Sequence, residues 1–197
     1  MPRNVSTNND ASNSCIGIDD GPFPRKTPDK PSMAPLLAVS LKGPHVLRLR
    51  LGWITVDGLD ATQEAKTLLQ GLQRGPVLLS GVTFGGFNLI DPYAVSKRFK
   101  TPTIVVVGSR PDNRAVKRAL VKHFPDWRKR WDIIRSLGPL RRVRTVAEEP
   151  PIFYEAIGCS TREARTILER NAMVSRVPEP IRVAGLIARG LFTKPVN

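Results

Sequence analysis

The hydrophobic residues change their period at Asp57, and this change limits the fold more than any other feature of the sequence. Before it, residues 46–51 (VLRLRL) alternate apolar and basic side chains, which is typical of a half-buried strand, and residues 36–41 (LLAVSL) predict the strand that pairs with it in a hairpin. After it, residues 60–74 carry apolar side chains at helical spacing. A hairpin followed by alternating strands and helices predicts a mixed sheet covered by helices, in the α/β class.

Two further runs complete the central strands of this prediction. Residues 15–19 (CIGID) predict a short central strand, and residues 103–108 (TIVVVG) predict a parallel strand that helices cover on both faces. The prolines between residues 20 and 35 predict an irregular loop, because proline cannot donate to a strand ladder. The polar residues 1–14 predict a disordered tail, and residues 15–197 predict a single domain of ordinary size.

Charge is the strongest global signal in the composition. The chain has 31 Lys and Arg against 17 Asp and Glu, a formal net charge of +14. Such a surface attracts polyanions and predicts a nucleic-acid partner, although a solvated basic surface without a partner is the alternative. No apolar run is long enough to cross a membrane. The two cysteines form no disulfide framework, which favours a cytoplasmic location.

Four aspartates lie at the ends of predicted strands or at strand-to-loop junctions, and they are Asp19, Asp20, Asp57 and Asp60. If the first and third strands are neighbours, Asp19 and Asp57 approach each other at one edge of the sheet. Two buried carboxylates repel each other and require a proton or a cation, and Mg²⁺ or Mn²⁺ is a hard ion that takes oxygen ligands. The alternative is that both segments are local turns and caps, where Asp and Gly are favoured for their own reasons.

The glycine-rich segment GVTFGGFN (81–88) has two interpretations. In the first it forms a pocket for a flipped base, on which Phe84 or Phe87 stacks. The residues of this candidate pocket are Ser80, Gly81, Phe84, Gly85, Gly86, Phe87 and Asn88. In the second it is a tight turn with two phenylalanines in the core. It is not a nucleotide-binding P-loop, because no Gly-Lys-Ser/Thr follows it.

Residues 127–144 interleave basic and aromatic side chains, with Trp127 and Trp131 four positions apart. This pattern suits contact with phosphates combined with stacking on bases. The alternative is a helix whose tryptophans are in the core and whose arginines are in water, and we predict a mixture of the two. The candidate contacts to the nucleic-acid backbone are Arg110, Arg128, Lys129, Arg130, Arg141, Arg142 and Arg182.

The chain resembles the endonuclease dU family, which is related to endonuclease V. The resemblance lies in GIDDGPF, ITVDGLDAT, LLSGVTFGGFNLID, TPTIVVV followed by RPD, and VPEPIRVAGLIARG, and it spans residues 15 to about 192. It implies an RNase H-like fold, with a five-stranded mixed sheet whose first three strands are antiparallel and which helices flank. It also implies a metal-dependent endonuclease that acts on deaminated DNA, uracil above all, with DNA rather than RNA as the substrate.

The resemblance also implies roles for the aspartates. Endonuclease V carries its first metal-binding aspartate on strand 1 in a Gly-x-Asp context, which Gly17-Ile18-Asp19 matches. Its second acid follows strand 3, where Asp57 is the nearest match and Asp60 the competitor. Asp19 and Asp57 are therefore expected to hold Mg²⁺ or Mn²⁺, with Asp20 and Asp60 assisting.

This sequence departs from endonuclease V at two acidic positions. Ser80 stands where a third aspartate ends strand 4, and Gly185 stands where a fourth acid lies in the last helix. These departures keep open the alternative of a protein that retained the fold and binds nucleic acid without catalysis. A nuclease directed at RNA is a further alternative, because the fold and the charge serve both nucleic acids.

Overall fold

The structure is a computed structural model that describes residues 14–24 and 32–192. The predicted disordered tail lies outside the described residues except for Ser14, which belongs to the first strand instead. The predicted irregular loop between residues 20 and 35 is likewise described only in part, because residues 25–31 lie outside the described ranges.

The elements follow the predicted order of a hairpin and then alternating strands and helices. The strands are β1 (Ser14–Asp20), β2 (Met33–Lys42), β3 (His45–Thr55), β4 (Val77–Ser80), β5 (Thr83–Phe84), β6 (Asn88–Leu89), β7 (Thr103–Val107), β8 (Arg141–Val143) and β9 (Ile152–Ile157). The helices are α1 (Ala61–Gln70), α2 (Pro92–Phe99), α3 (Asn113–His123), α4 (Trp127–Ser136), α5 (Thr161–Asn171) and α6 (Glu179–Phe192).

The main sheet has seven strands in the order β3-β2-β1-β4-β7-β9-β8, two more than the predicted five. Its first three strands are antiparallel, as predicted, and β1, β4 and β7 run parallel. The additional strands β9 and β8 continue the sheet in antiparallel fashion beyond β7. β9 pairs with the edge that β7 would otherwise expose, and β8 pairs with β9. With only three residues, β8 is too short to show a period in the sequence.

Helices cover both faces of the central strands. Ile16 and Ile18 of β1 face one core cluster, which also contains apolar side chains of α1 and α2. Cys15 faces the other cluster, together with side chains of α5 and α6. Gly17 lets α6 lie directly against β1, because a Cβ at this position would overlap the backbone of Pro180. This close approach brings the middle of α6 to the carboxyl end of β1.

Candidate active site at the ends of β1 and β4

Asp19 lies at the carboxyl end of β1, between β2 and β4 in the middle of the sheet. Burial, and after it the charge of the neighbouring Asp20 carboxylate, raises the pKa of Asp19 to about 6, although the backbone N–H of Asp20, the Ser80 side chain and the charge of Arg189 oppose this increase. The N–H of Asp20 donates to Asp19 Oδ1 at 3.0 Å. A raised pKa means that the ionised form of Asp19 is disfavoured, and a cation close to the carboxylate would stabilise that form.

Asp20 is the last residue of β1 and follows Asp19 directly. Its Oδ2 accepts a hydrogen bond of 2.6 Å from the N–H of Gly85, which ties the end of β1 to the glycine-rich turn between β5 and β6. Burial raises the pKa of Asp20 as well, against the effects of that hydrogen bond and of Arg189. The strand end therefore concentrates two carboxylates that are costly to ionise together.

The two positions at which acids are absent both adjoin Asp19. Ser80 ends β4 next to β1, and its side chain lowers the pKa of Asp19. Gly185 is buried in α6, where a Cβ would overlap Asp19 Oδ2 and would lie 3.1 Å from Arg189 Nη1. The Asp19 carboxylate thus occupies the space that a side chain at position 185 would need, and the guanidinium of Arg189 stands beside it.

Asp57 holds the glycine-rich turn. Its backbone is left-handed, with φ of 59°, and its N–H donates to the carbonyl of Gly85 at 2.8 Å. Its Oδ1 accepts the N–H of Phe87 at 2.9 Å and lies where a Cβ of Gly86 would be. Among the described residues, no hydrogen bond or ion pair joins Asp57 to Asp19. The geometry shows a structural use for Asp57, and its role as a metal ligand stays a prediction.

Asp60 and Asn88 fasten the start of α1 to β3 and β6. Asp60 accepts hydrogen bonds from the N–H and hydroxyl of Thr55 and from the Asn88 amide. Burial alone would raise the pKa of Asp60, but the hydrogen bonds from Asn88 and Thr55 outweigh it and lower the pKa. Asn88 is fully buried, donates to the carbonyl of Thr55 and accepts from the N–H of Ala61. The geometry gives Asn88 a structural role, and its place in a base pocket stays a prediction.

The phenylalanines of the glycine-rich segment do not form an open stacking platform. Phe84 is 1% exposed and belongs to the core. Phe87 packs edge-to-face against Phe124, with 5.4 Å between the ring centroids. Gly85 and Gly86 both have positive φ and form the turn of the β5–β6 hairpin. Phe84 thus agrees with the interpretation of this segment as a tight turn with core phenylalanines, Phe87 is half-buried, and the base pocket stays a prediction.

An apolar cavity of about 130 Å³ begins at Gly81, the residue that follows Ser80. Its walls are Val105 and Val107 of β7, the segment from Gly81 to Thr83, and the facing ends of α3 and α4. Ligands of open α/β sheets bind beyond the carboxyl ends of the parallel strands, which is where this cavity lies. Sequence patterns placed both helices but contained no signal of the space between them.

Arg130 was expected to contact phosphate, and the structure gives it an internal role. The residue is 4% exposed. Its guanidinium donates to the carbonyls of Asp57, Gly58 and Phe87 at 2.9, 2.9 and 2.6 Å, and it pairs with Asp126 at 2.9 Å. A guanidinium with these partners fixes the turn after β3 against the glycine-rich turn and has no free face for a phosphate.

The other predicted backbone contacts lie on the surface. Arg141 pairs with Glu155 at 2.9 Å, and Arg182 pairs with the buried Glu179 at 2.6 Å. The exposed members of the set are Arg110, Arg128, Lys129, Arg141 and Arg142. Trp127 and Trp131 are half-buried, and the contact of the neighbouring arginines with phosphate stays a prediction.

Within residues 14–24 and 32–192, no three His, Cys, Asp or Glu side chains converge in a way that could hold a metal ion. The carboxylate pair Asp19–Asp20 therefore has no third acidic or imidazole ligand in this part of the chain. No described helix is long and apolar enough to span a membrane.

The sequence profile of the endonuclease dU family matches residues 12–192. A UPF0215 protein of Pyrococcus furiosus is 36% identical over 182 residues, which cover 90% of this chain and 91% of the relative. A UPF0215 protein of Methanothermobacter thermautotrophicus is 35% identical over 181 residues, covering 89% of this chain and 86% of the relative.

Solved structures share the fold. A protein of unknown function from Archaeoglobus fulgidus superposes with a TM-score of 0.78 at 25% identity, over 92% of this chain and 99% of that chain. Endonuclease V of Bacillus subtilis gives a TM-score of 0.60 at 13% identity, over 93% and 82% of the two chains. Endonuclease V of Ciona intestinalis, in complex with an inosine-containing DNA, gives 0.56 at 18% identity, over 91% and 85%. The fold is thus similar to that of endonuclease V, and the sequence match over nearly the whole chain shows that this protein belongs to the endonuclease dU family.

Proposed function

We propose that this protein is a metal-dependent endonuclease that cleaves damaged, deaminated DNA, with deoxyuridine as the principal lesion, in DNA repair. The observation that supports the proposal most is Asp19, a half-buried acid with a raised pKa at the end of the central strand. Acids whose pKa is shifted by burial and by a like charge are characteristic of catalytic sites. The net charge of +14 would attract a nucleic-acid substrate. The name of the family, endonuclease dU, is the basis for the proposed reaction and for the proposed lesion base.

Asp19 and Asp20 are the residues that would hold Mg²⁺ or Mn²⁺. Two carboxylates fit a single hard ion that keeps several of its waters, but two carboxylates without a third acid do not fit a pair of ions. Such an ion, when bound, lowers the pKa of a water and stabilises charge on a phosphate. The hydrogen bond from the N–H of Asp20 orients the Asp19 carboxylate, and the bond from the N–H of Gly85 orients that of Asp20. Asp57 and Asp60 contribute by holding the glycine-rich turn in place.

The apolar cavity beside Gly81 is the proposed pocket for the lesion base, in place of the phenylalanines of the turn. Its lining begins with Gly81, directly after Ser80, and Ser80 ends β4 beside β1, so a base inserted there would lie beyond the carboxyl ends of these strands. Its polar side chains, Thr83 and Asn113, could read the base edge. Apolar walls alone would discriminate only modestly between bases that differ by a methyl group.

A second candidate function is nucleic-acid binding without cleavage. Arg189 favours it, because this guanidinium already places a positive charge beside Asp19, and Ser80 and Gly185 supply no acid. The same charge and fold would also serve an RNA substrate.

The test is a nicking assay with labelled duplexes that carry uracil, inosine or no lesion, and with matched RNA. Each is incubated with Mg²⁺, with Mn²⁺ or with EDTA. The wild type is compared with Asp19→Asn and, as a control, with Asp132→Asn, which alters an exposed acid of α4. Lesion-dependent nicking that needs metal and Asp19 supports the endonuclease. Salt-sensitive binding without nicking under any condition would replace it with the binding protein.

A further inference from the structure

The outer face of α3 carries a row of cations that the fold does not neutralise. Arg114, Lys117, Arg118 and Lys122 are all exposed, and residues 113–125 contain no acid. Arg114, Arg118 and Lys122 are spaced four residues apart, and like charges at this spacing destabilise a helix. None of the four has an acidic partner among the described residues, whereas Arg165 on α5 pairs with Glu169 at 2.7 Å.

This cationic face continues into the cavity beside the candidate active site. A groove of about 290 Å³ between α3 and α4 is lined by Arg114, Lys117, Trp131 and Arg135. The groove shares Asn113, Ile134 and Gly138 with the apolar cavity that begins at Gly81. On its other side it shares Arg114 and Lys117 with a shallow concavity that reaches Arg118 and Lys122. Surface depressions thus connect the end of α3 with the cavity at Gly81, the residue that follows the end of β4.

We propose that the α3 face and the α3–α4 groove form a docking surface for the sugar-phosphate backbone of a nucleic-acid strand, which they lead to the cavity beside Gly81. Nucleic acid is the occupant whose chemistry fits, because repeated cations beside an aromatic ring match a chain of phosphates and bases. Trp131 lies in the groove, and Lys117 Nζ stands 5.4 Å from the centre of its ring. The route to the active site rests on the proposed function, whereas the binding itself requires no cleavage.

The experiment compares two triple variants that remove the same charge. One carries Lys117→Gln, Arg118→Gln and Lys122→Gln on α3. The matched control carries Arg162→Gln, Arg165→Gln and Arg170→Gln on α5, so the net charge falls equally in both. Fluorescence anisotropy in EDTA measures the binding of a labelled deoxyuridine-containing single strand, and of its RNA counterpart, at several salt concentrations. Circular dichroism confirms that both variants are folded.

The α3 variant should bind at least tenfold more weakly at 0.1 M salt, and its plot of log affinity against log salt should be shallower by about 2, since each lost phosphate contact removes about 0.7 for a single strand. The binding affinity of the α5 control should decrease by less than twofold in addition to the decrease that the lower net charge causes in both variants. Equal losses in both variants would overturn the proposal, because the effect would then be one of net charge. A wild type that never nicks DNA, but whose binding the α3 variant loses, would refute the endonuclease and leave the docking surface standing. A wild type that nicks, with an α3 variant that binds and nicks equally well, would refute only the docking surface.

Discussion

Replacing Arg130 with methionine should destabilise the protein severely, because its guanidinium joins two turns that belong to different parts of the chain. The change removes three hydrogen bonds to the carbonyls of Asp57, Gly58 and Phe87, together with the ion pair to Asp126. Breaking a buried, hydrogen-bonded pair costs about 3–5 kcal/mol. The residues that supply the carbonyls are half-buried, so water can replace part of the loss. We therefore expect a decrease of about 3 kcal/mol in the free energy of unfolding.

Urea unfolding, followed by tryptophan fluorescence, measures this decrease, and Arg128→Met is the matched control. Arg128 is an exposed neighbour on the same helix, and its guanidinium carbon lies 4.7 Å from the centre of the Trp127 ring. Its loss should cost no more than about 1 kcal/mol. Arg130→Lys should fall between the two, because it keeps the charge but cannot reach all the carbonyls. If Arg130→Met cost no more than Arg128→Met while weakening DNA binding, the residue would be a phosphate contact and the structural role derived above would be refuted.

Other substitutions test the remaining parts of the site. Gly185→Ala should cost about 1–3 kcal/mol in urea unfolding, because its Cβ meets Asp19, whereas Gly190→Ala, with nothing within 4 Å, should be neutral or stabilising. Asp57→Asn keeps an oxygen acceptor for the Phe87 N–H, so nicking should persist; a loss of 100-fold or more would make Asp57 a metal ligand. The hydrogen bonds from Arg182 and Val174 outweigh burial and lower the pKa of Glu179 below its ordinary value of 4.5. The stability that Glu179 contributes is therefore fully present above pH 4.5 and is lost as the pH falls through its lower folded value, and Glu179→Gln should flatten that part of the acid-unfolding profile.

The sequence predicted the hairpin, the parallel strands and the helices, because each has a periodicity that a short window contains. The alternation in β3 and the apolar run of β7 are signals of this kind. β8 has only three residues and carries no period, and the pairing of β9 with β7 is a contact between distant segments. The count of five strands came from the family resemblance, and the structure adds β9 and β8 to the central strands.

The sequence also located the carboxylates but could not divide them by role. Asp20 and Asp57 hold opposite sides of one turn, through the N–H and the carbonyl of Gly85. Gly85 is far from both aspartates in the sequence, so only the tertiary structure shows that each of them bonds to it. Arg130 was misjudged in the same way, because its partners lie 43 to 73 positions away and a basic, aromatic-flanked helix gives no indication of them.

The loss of two acids and the approach of α6 are parts of one arrangement. Gly17 lets α6 touch β1, and Gly185 then leaves room for the Asp19 carboxylate and for Arg189 beside it. Four acids around two divalent ions, as endonuclease V implies, balance to zero charge. Here two carboxylates, one divalent ion and one guanidinium would leave a net charge of +1 at the strand end. If the proposed ion is bound, the arginine beside Asp19 would add to the attraction for a phosphate and would oppose the binding of a second ion.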